Sequence, residues 1–146
     1  MSSVNRVCLV GAGNWGKNYL KTLNNLSIDF VIVEQNDKLA NKLKKTFPGI
    51  TFYKKIEETL NECSAYIVAT PPKTHFEIAL TCLKNKKNVL VEKPLTLNVE
   101  DSKKLYVKAK EVDKTLAVGH LLLFHPAVKI IKNLIDKKSI GDLQYI

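Results

Sequence analysis

Short apolar runs alternate along the chain with stretches whose apolar residues recur every three or four positions, the first a strand pattern and the second a helical one. Arg6-Val7-Cys8-Leu9-Val10 reads as a strand, followed at once by glycines and a helix through Leu20 and Leu23. Phe30-Val31-Ile32-Val33 is the second strand. The helix after it, Asp37 to Phe47, turns Leu39, Ala40, Leu43 and Phe47 inward until Pro48-Gly49 stops it. Ile50 to Tyr53 predicts a short third strand, and Ile56 to Leu60 a brief helix. Ala65 to Ala69 is the fourth strand, ended by Pro71-Pro72, and the helix from Thr74 to about Lys86 faces Phe76, Ala79, Leu80 and Leu83 inward. Asn88 to Val91 is the fifth strand. The next helix starts at Asn98, a residue able to cap the first turn, with Ser102, Leu105, Ala109 and Val112 as its inner stripe. Leu116-Ala117-Val118 is a sixth strand, and a last helix runs from His125 to Lys138 with Pro126 in its first turn.

Strand runs without polar alternation, each followed by a helix, predict parallel strands covered on both faces. Right-handed crossovers between them give a doubly wound, mostly parallel α/β sheet. The length of 146 residues suits about one domain. With 45% apolar and 25% charged residues, the composition excludes disorder and collagen-like sequence. No apolar run approaches the ~20 residues of a membrane span. The opening MSSVNRVCLVGAG lacks a charged segment before an apolar one, so no signal peptide is expected. Cys8, Cys63 and Cys82 are odd in number and lack metal-ligand spacing, which predicts reduced core thiols in a cytoplasmic protein and no metal site.

Basic residues outnumber acidic ones 23 to 14, for a net charge of +9. Arg6 is the only arginine, and the lysines are spread over nearly every helix with no aromatic-interleaved stripe. That pattern reads as solvated helix faces and not as a nucleic-acid surface, although it helps to attract a small anion.

The first strand runs into Gly11-Ala12-Gly13-Asn14-Trp15-Gly16, a GxGxxG that opens a helix. In a dinucleotide site Gly11 allows the tight turn, Gly13 lets the backbone approach a pyrophosphate, and Gly16 lets helix and strand pack closely. The helix N-terminus then offers free N–H groups and a positive dipole to the phosphates. Glu34 closes the second strand roughly 20 residues further on, where a carboxylate accepts hydrogen bonds from the adenosine ribose. A carboxylate there repels a 2′-phosphate, and Gln35, Asn36 and Asp37 after it include no arginine; NAD is favoured over NADP, with Lys38 the one nearby cation. Trp15 reads either as helix-start packing or as a wall beside the pyrophosphate.

A second cluster lies at the carboxyl ends of the fourth and fifth strands: Ala69-Thr70-Pro71-Pro72-Lys73-Thr74-His75 and Glu92-Lys93-Pro94. This is the edge where open α/β sheets bind ligands. Taken in order, GAGNWGKN, ATPPKTH, VEKPLTL and VGHLLLFHPA resemble the glucose–fructose oxidoreductase/inositol dehydrogenase family (Gfo/Idh/MocA), over essentially the whole chain. The resemblance implies a Rossmann domain in which the loop from Gly11 to Gly16, with Ala12, Asn14 and Trp15, binds NAD together with Glu34. It also implies that Thr70, Pro71 and His75 flank the cofactor, that Glu92 contacts its nicotinamide–ribose half, and that Lys93 stands at the reacting carbon. His120 and His125 are candidates to line a sugar site. The last stretch, from Gly119 onward, looks most like members that oxidise nucleotide-linked amino sugars for surface polysaccharides.

The implied chemistry is hydride removal from a secondary alcohol to nicotinamide, with Lys93 taking the hydroxyl proton; a lysine does this when partly desolvated beside a positive ring. Family members carry a second, mostly antiparallel α+β domain that shapes the sugar pocket. Here residues 1–122 are expected to form the dinucleotide domain. Residues 123–146 are expected to be a connecting helix and the first-strand stub of that substrate domain, which is otherwise absent. The expectation is therefore a portion of a longer enzyme that binds NAD alone and turns over no sugar. The alternatives are a non-catalytic NAD module, or a subunit completing its site with another chain; the candidate protein partners are a second copy in a homo-oligomer or that complementing subunit.

Overall fold

The computed structural model describes residues 5–145; residues 1–4, part of the leader reading, and Ile146, the end of the expected strand stub, lie outside it. The strands are β1 (Val7–Val10), β2 (Phe30–Val33), β3 (Phe52–Tyr53), β4 (Ala65–Val68), β5 (Asn88–Val91) and β6 (Leu116–Val118). Between and after them run α1 (Gly16–Asn25), α2 (Asp37–Thr46), α3 (His75–Lys84), α4 (Val99–Glu111) and α5 (Pro126–Asp136). All strand pairs are parallel, in the order β3-β2-β1-β4-β5-β6. The chain begins in the middle of the sheet, winds outward to β3, then returns past β1 to build the other half. The carboxyl ends of β1 and β4 therefore diverge into loops leading opposite ways, which opens a crevice.

Alternate residues of each strand feed two cores. Leu9 and Ile32 pack with Leu20 and Leu23 of α1 and Leu43 of α2. On the other face Val10, Val31, Tyr66, Val68 and Val91 meet Ala79, Cys82 and Leu83 of α3 and Leu105 of α4. Each fully buried leucine contributes roughly 1.5–3 kcal/mol through area removed from water. This is why the strands read as continuous apolar runs.

Helix starts follow the side-chain chemistry. Asn36 accepts from the Leu39 N–H at 3.1 Å, and Asn98 from the Asp101 N–H at 2.8 Å, as the sequence indicated for Asn98. The third strand is shorter than expected: Ile50 donates back to the Phe47 carbonyl at 3.4 Å, closing the end of α2 around Gly49, whose φ is +98°. Residues 56–59 form a 3₁₀ turn, with the Glu58 carboxylate accepting from the Lys54 and Lys55 N–H groups.

The sheet is not equally covered. Along the row Leu9–Ile67–Leu90–Ala117, burial falls from complete at Leu9 to partial at the others. Helix α5 buries none of its residues, and the preceding 3₁₀ turn, Leu121–Phe124, is exposed throughout. Residues 142–145 form no strand. Among the described residues no helix is long and apolar enough to cross a membrane, and no cluster of His, Cys, Asp or Glu could hold a metal ion.

Candidate functional site

The glycine turn between β1 and α1 has the steric character that its spacing indicates. Gly11 has φ +87°, and a Cβ there would lie 2.9 Å from Thr70 Cγ2 and 3.0 Å from the Ala69 carbonyl oxygen. A Cβ on Gly16 would lie 2.1 Å from the Gly11 carbonyl oxygen, so only glycine lets α1 start this close to β1. At Gly13 a Cβ would meet nothing within 4 Å. The open space lies over Gly13, and no side chain caps α1; the Lys17 N–H turns back to the Gly13 carbonyl at 3.1 Å and that of Asn18 to the Trp15 carbonyl at 2.9 Å, which leaves the Asn14, Trp15 and Gly16 amides for a ligand.

Glu34, at the end of β2, accepts from the Ala12 N–H through Oε2 at 2.9 Å and from the Asn36 N–H through Oε1 at 2.8 Å. It thus ties the glycine turn to the β2 loop, and each oxygen keeps acceptor capacity for a hydroxyl. Lys54, which sequence reasoning missed, reaches the same loop, pairing with Asp37 and donating to the Gln35 carbonyl at 3.0 Å. A cavity of about 290 Å³ lies here, lined by Gly11, Gly13, Glu34, Asn36, Thr70 and Pro71 among others.

Thr70 carries the cleft onward to β4. Thr74 Oγ1 lies 2.8 Å from both Thr70 Oγ1 and the Pro71 carbonyl oxygen, fixing this turn ahead of α3. His75 is enclosed, with 1% of its surface exposed. Its Nδ1 lies 2.8 Å from the Pro94 carbonyl oxygen and its Nε2 2.8 Å from that of Thr70. It links the turn after β4 to the turn after β5 and stands mostly behind the cleft surface.

Glu92, at the end of β5, is 6% exposed. Its Oε1 accepts from Trp15 Nε1 and the Tyr19 hydroxyl, each at 2.5 Å, while Oε2 accepts from the Lys93 N–H at 3.1 Å. Burial first, then the bond to Glu92, pushes the Tyr19 hydroxyl well above its ordinary range, so it stays a donor. Gly119, just past β6, makes room: a Cβ there would lie 2.8 Å from Glu92 Oε1. Trp15 is 45% exposed and spans to β5 instead of packing at its own helix start. The sequence held one signal for this network, Trp15 at the cap of α1 and Tyr19 in it being four apart and so on one side.

Lys93 is exposed at the wall of a largely apolar cavity of about 700 Å³, which Trp15, Glu92, Gly119 and His120 also line. A smaller cavity of about 250 Å³, bordered by Thr70, His75, Glu92 and Lys93, joins this region to the Glu34 side. His120 is thereby brought beside Lys93. His125 is not: it caps α5, Nδ1 accepting from the Ala127 N–H at 3.2 Å, and is exposed. Asn14 is exposed at the glycine turn.

A parallel doubly wound sheet, a glycine turn feeding an uncapped helix, and a carboxylate at the end of β2 define a dinucleotide-binding domain, and the residues present fit NAD. Residues 5–120 match the model of the Gfo/Idh/MocA oxidoreductase family, NAD-binding Rossmann fold, and the chain belongs to that family. It is 28% identical over 142 residues to inositol 2-dehydrogenase 1 of Mycolicibacterium vanbaalenii, covering 93% of this chain and 41% of the relative. It superposes on UDP-N-acetylglucosamine 3-dehydrogenase of Acidithiobacillus ferrooxidans with TM-score 0.80 at 25% identity, covering 88% of this chain and 41% of that one. For GenD2 from gentamicin A biosynthesis, in complex with NAD, the TM-score is 0.82 at 27% identity, covering 92% and 40%. The chain thus spans about two-fifths of the length of the curated relatives it matches. Its cofactor is NAD, the ligand of the family's fold.

Proposed function

We propose that this chain is the cofactor-holding part of an NAD-dependent dehydrogenase acting on a secondary alcohol of a sugar or nucleotide-linked sugar. The observation that carries this reading is the row of cavities along the carboxyl edge of the sheet, with Gly13 and Glu34 at one end and Lys93 at the other. Gly11 to Gly16 would bind the diphosphate, Glu34 the adenosine ribose, and Thr70 and Pro71 the wall between them. His75 would hold the β4 and β5 turns together from behind. Nicotinamide supplies the hydride acceptor. Lys93 would take the hydroxyl proton as the alcohol is oxidised to a ketone. His120, on the same cavity wall, is the candidate to contact the sugar, and His125 is its less favoured companion.

Residues 1–122 form the cofactor domain in this reading and residues 123–146 a connection toward a substrate-binding unit. Leu121 to Phe124, Ile130 and Ile131 present an exposed apolar surface beside the Lys93 cavity, which favours a site completed by a further substrate domain, with another chain as the alternative. The buried free cysteines support a reducing, cytoplasmic setting. Calorimetry with NAD and NADP tests the cofactor assignment: the chain binds NAD, and NADP more weakly. Absence of heat with millimolar NAD refutes it. The 146-residue chain alone is expected to reduce no NAD with a nucleotide sugar, and appreciable turnover would refute the need for a completing unit.

A further inference from the structure

Glu92 is nearly enclosed, yet its hydrogen-bond partners are an indole, a phenol and a backbone amide, none of them charged. The indole and the backbone amide can only donate, so each carboxyl oxygen of Glu92 accepts at least one hydrogen bond. Among the described residues, the ion pairs of this molecule all lie elsewhere. Buried carboxylates are ordinarily matched by a cation. The side that remains open faces the cavities shared with Lys93.

The strand order fixes which part of a dinucleotide comes here. Glu34 ends β2 on one side of β1, while β4 and β5 lie on the other. With the diphosphate over the glycine turn, the nicotinamide half extends toward β5. An oxidised nicotinamide ring carries a positive charge and a reduced one does not, so a fixed negative charge acts on one redox state only.

On the reading that NAD occupies this cleft, we propose that Glu92, held by Trp15 and Tyr19, is a charge-selective subsite favouring the oxidised nicotinamide over the reduced one. Trp15 and Tyr19 are positioning residues that fix the carboxylate through their hydrogen bonds to Oε1. Gly119 keeps the oxygen free of an intervening side chain.

The test measures dissociation constants of NAD, NADH and ADP-ribose, which lacks the ring, for the wild-type chain, E92Q and Y19F, with circular dichroism melts to verify folding. E92Q is expected to raise the ratio Kd(NAD)/Kd(NADH) about tenfold, the scale of a single charge acting over several ångströms in a partly enclosed site. ADP-ribose affinity should hold within about twofold. Y19F keeps the charge but loosens the carboxylate, and should move the ratio the same way by less. Equal changes for NAD and NADH in E92Q would overturn the proposal while leaving the cofactor assignment intact. Failure of all three ligands to bind the wild type would remove the cofactor assignment and this inference together. Should E92Q not fold, an unmoved ratio in Y19F overturns the proposal.

Discussion

Two alanine substitutions in one glycine turn should fail in opposite ways. At Gly16 the new methyl would stand 2.1 Å from the Gly11 carbonyl oxygen, a backbone atom tied into the sheet by the Gly11 N–H bond to Val33 at 2.9 Å. Neither partner can swing aside, so α1 must lift from β1, away from the core that Leu20 and Leu23 share with Leu9. Overpacking commonly costs 1–3 kcal/mol, and a backbone clash belongs at or beyond the upper end, about 3 kcal/mol. For a chain of this size that lowers Tm by about 6–12 °C. At Gly13 the methyl meets nothing within 4 Å, so Gly13→Ala should fold with stability within about 1 kcal/mol of wild type. The same methyl fills the space where amides would meet a diphosphate. Losing one or two charge-assisted hydrogen bonds, at roughly 1.5–3 kcal/mol each, predicts about a hundredfold weaker NAD binding. Thermal melts and calorimetry on both variants decide the matter. If Gly13→Ala binds NAD like wild type, or melts as low as Gly16→Ala, the phosphate-loop reasoning is wrong.

Glu34→Ala removes the acceptor for the Ala12 and Asn36 N–H groups and should weaken NAD roughly tenfold or more while narrowing the gap to NADP; an unchanged Kd for both would contradict the role given to Glu34. The Asn98 side chain, then Lys104, holds the Asp101 carboxyl below its ordinary value of 3.8. A lowered folded value means the stabilisation is present above that ordinary value and is lost as pH falls through the folded one. Wild type should therefore melt above Asp101→Asn near neutral pH, with the gap closing below about pH 4; a gap independent of pH would rule this out. Burial pushes the Cys82 thiol up to about 12, and the neighbouring Cys63 together with burial pushes Cys8 well above its ordinary range. Neither should react with a thiol-disulfide reagent at pH 8 until the chain unfolds, and prompt labelling of the native protein at Cys8 or Cys82 would show the core to be open.

Much of this architecture was legible because local chemistry and tertiary role coincide. Cys8 to Val10 and Val31 to Val33 are apolar at every position because both sheet faces are covered, and Asn98 caps a helix whose inner stripe is equally plain. The steric demands at Gly11 and Gly16 also followed from spacing, since the turn and the helix–strand approach are set within a few residues. What escaped the sequence depends on chain segments brought together by topology. Trp15 and Tyr19 meet Glu92 across 77 and 73 positions, so Trp15 read alone looked like a helix-start residue. His75 illustrates the converse: its motif marked it as a cleft residue, and although it borders the smaller cavity, its ring is bonded to the carbonyls of Thr70 and Pro94 and so also ties the two turns together. His125 has a local use as a cap that its place beside Pro126 already allowed.

Helix α1 gives the site its coherence. The turn that opens it presents the Asn14, Trp15 and Gly16 amides, while Trp15 just ahead of the helix and Tyr19 on it both reach Glu92. The helix cannot shift without moving both, and its distance from β1 is set by the absence of a single carbon at Gly16. Glu34 fixes the near side of the turn through Ala12. Lys93 follows Glu92 directly, with its own N–H bound to that carboxylate. The position of the Lys93 turn is thus coupled, through one rigid element, to the place where the diphosphate would rest. A cofactor gripped at its centre would therefore meet Glu92 and the Lys93 turn already aligned, at little further cost in ordering.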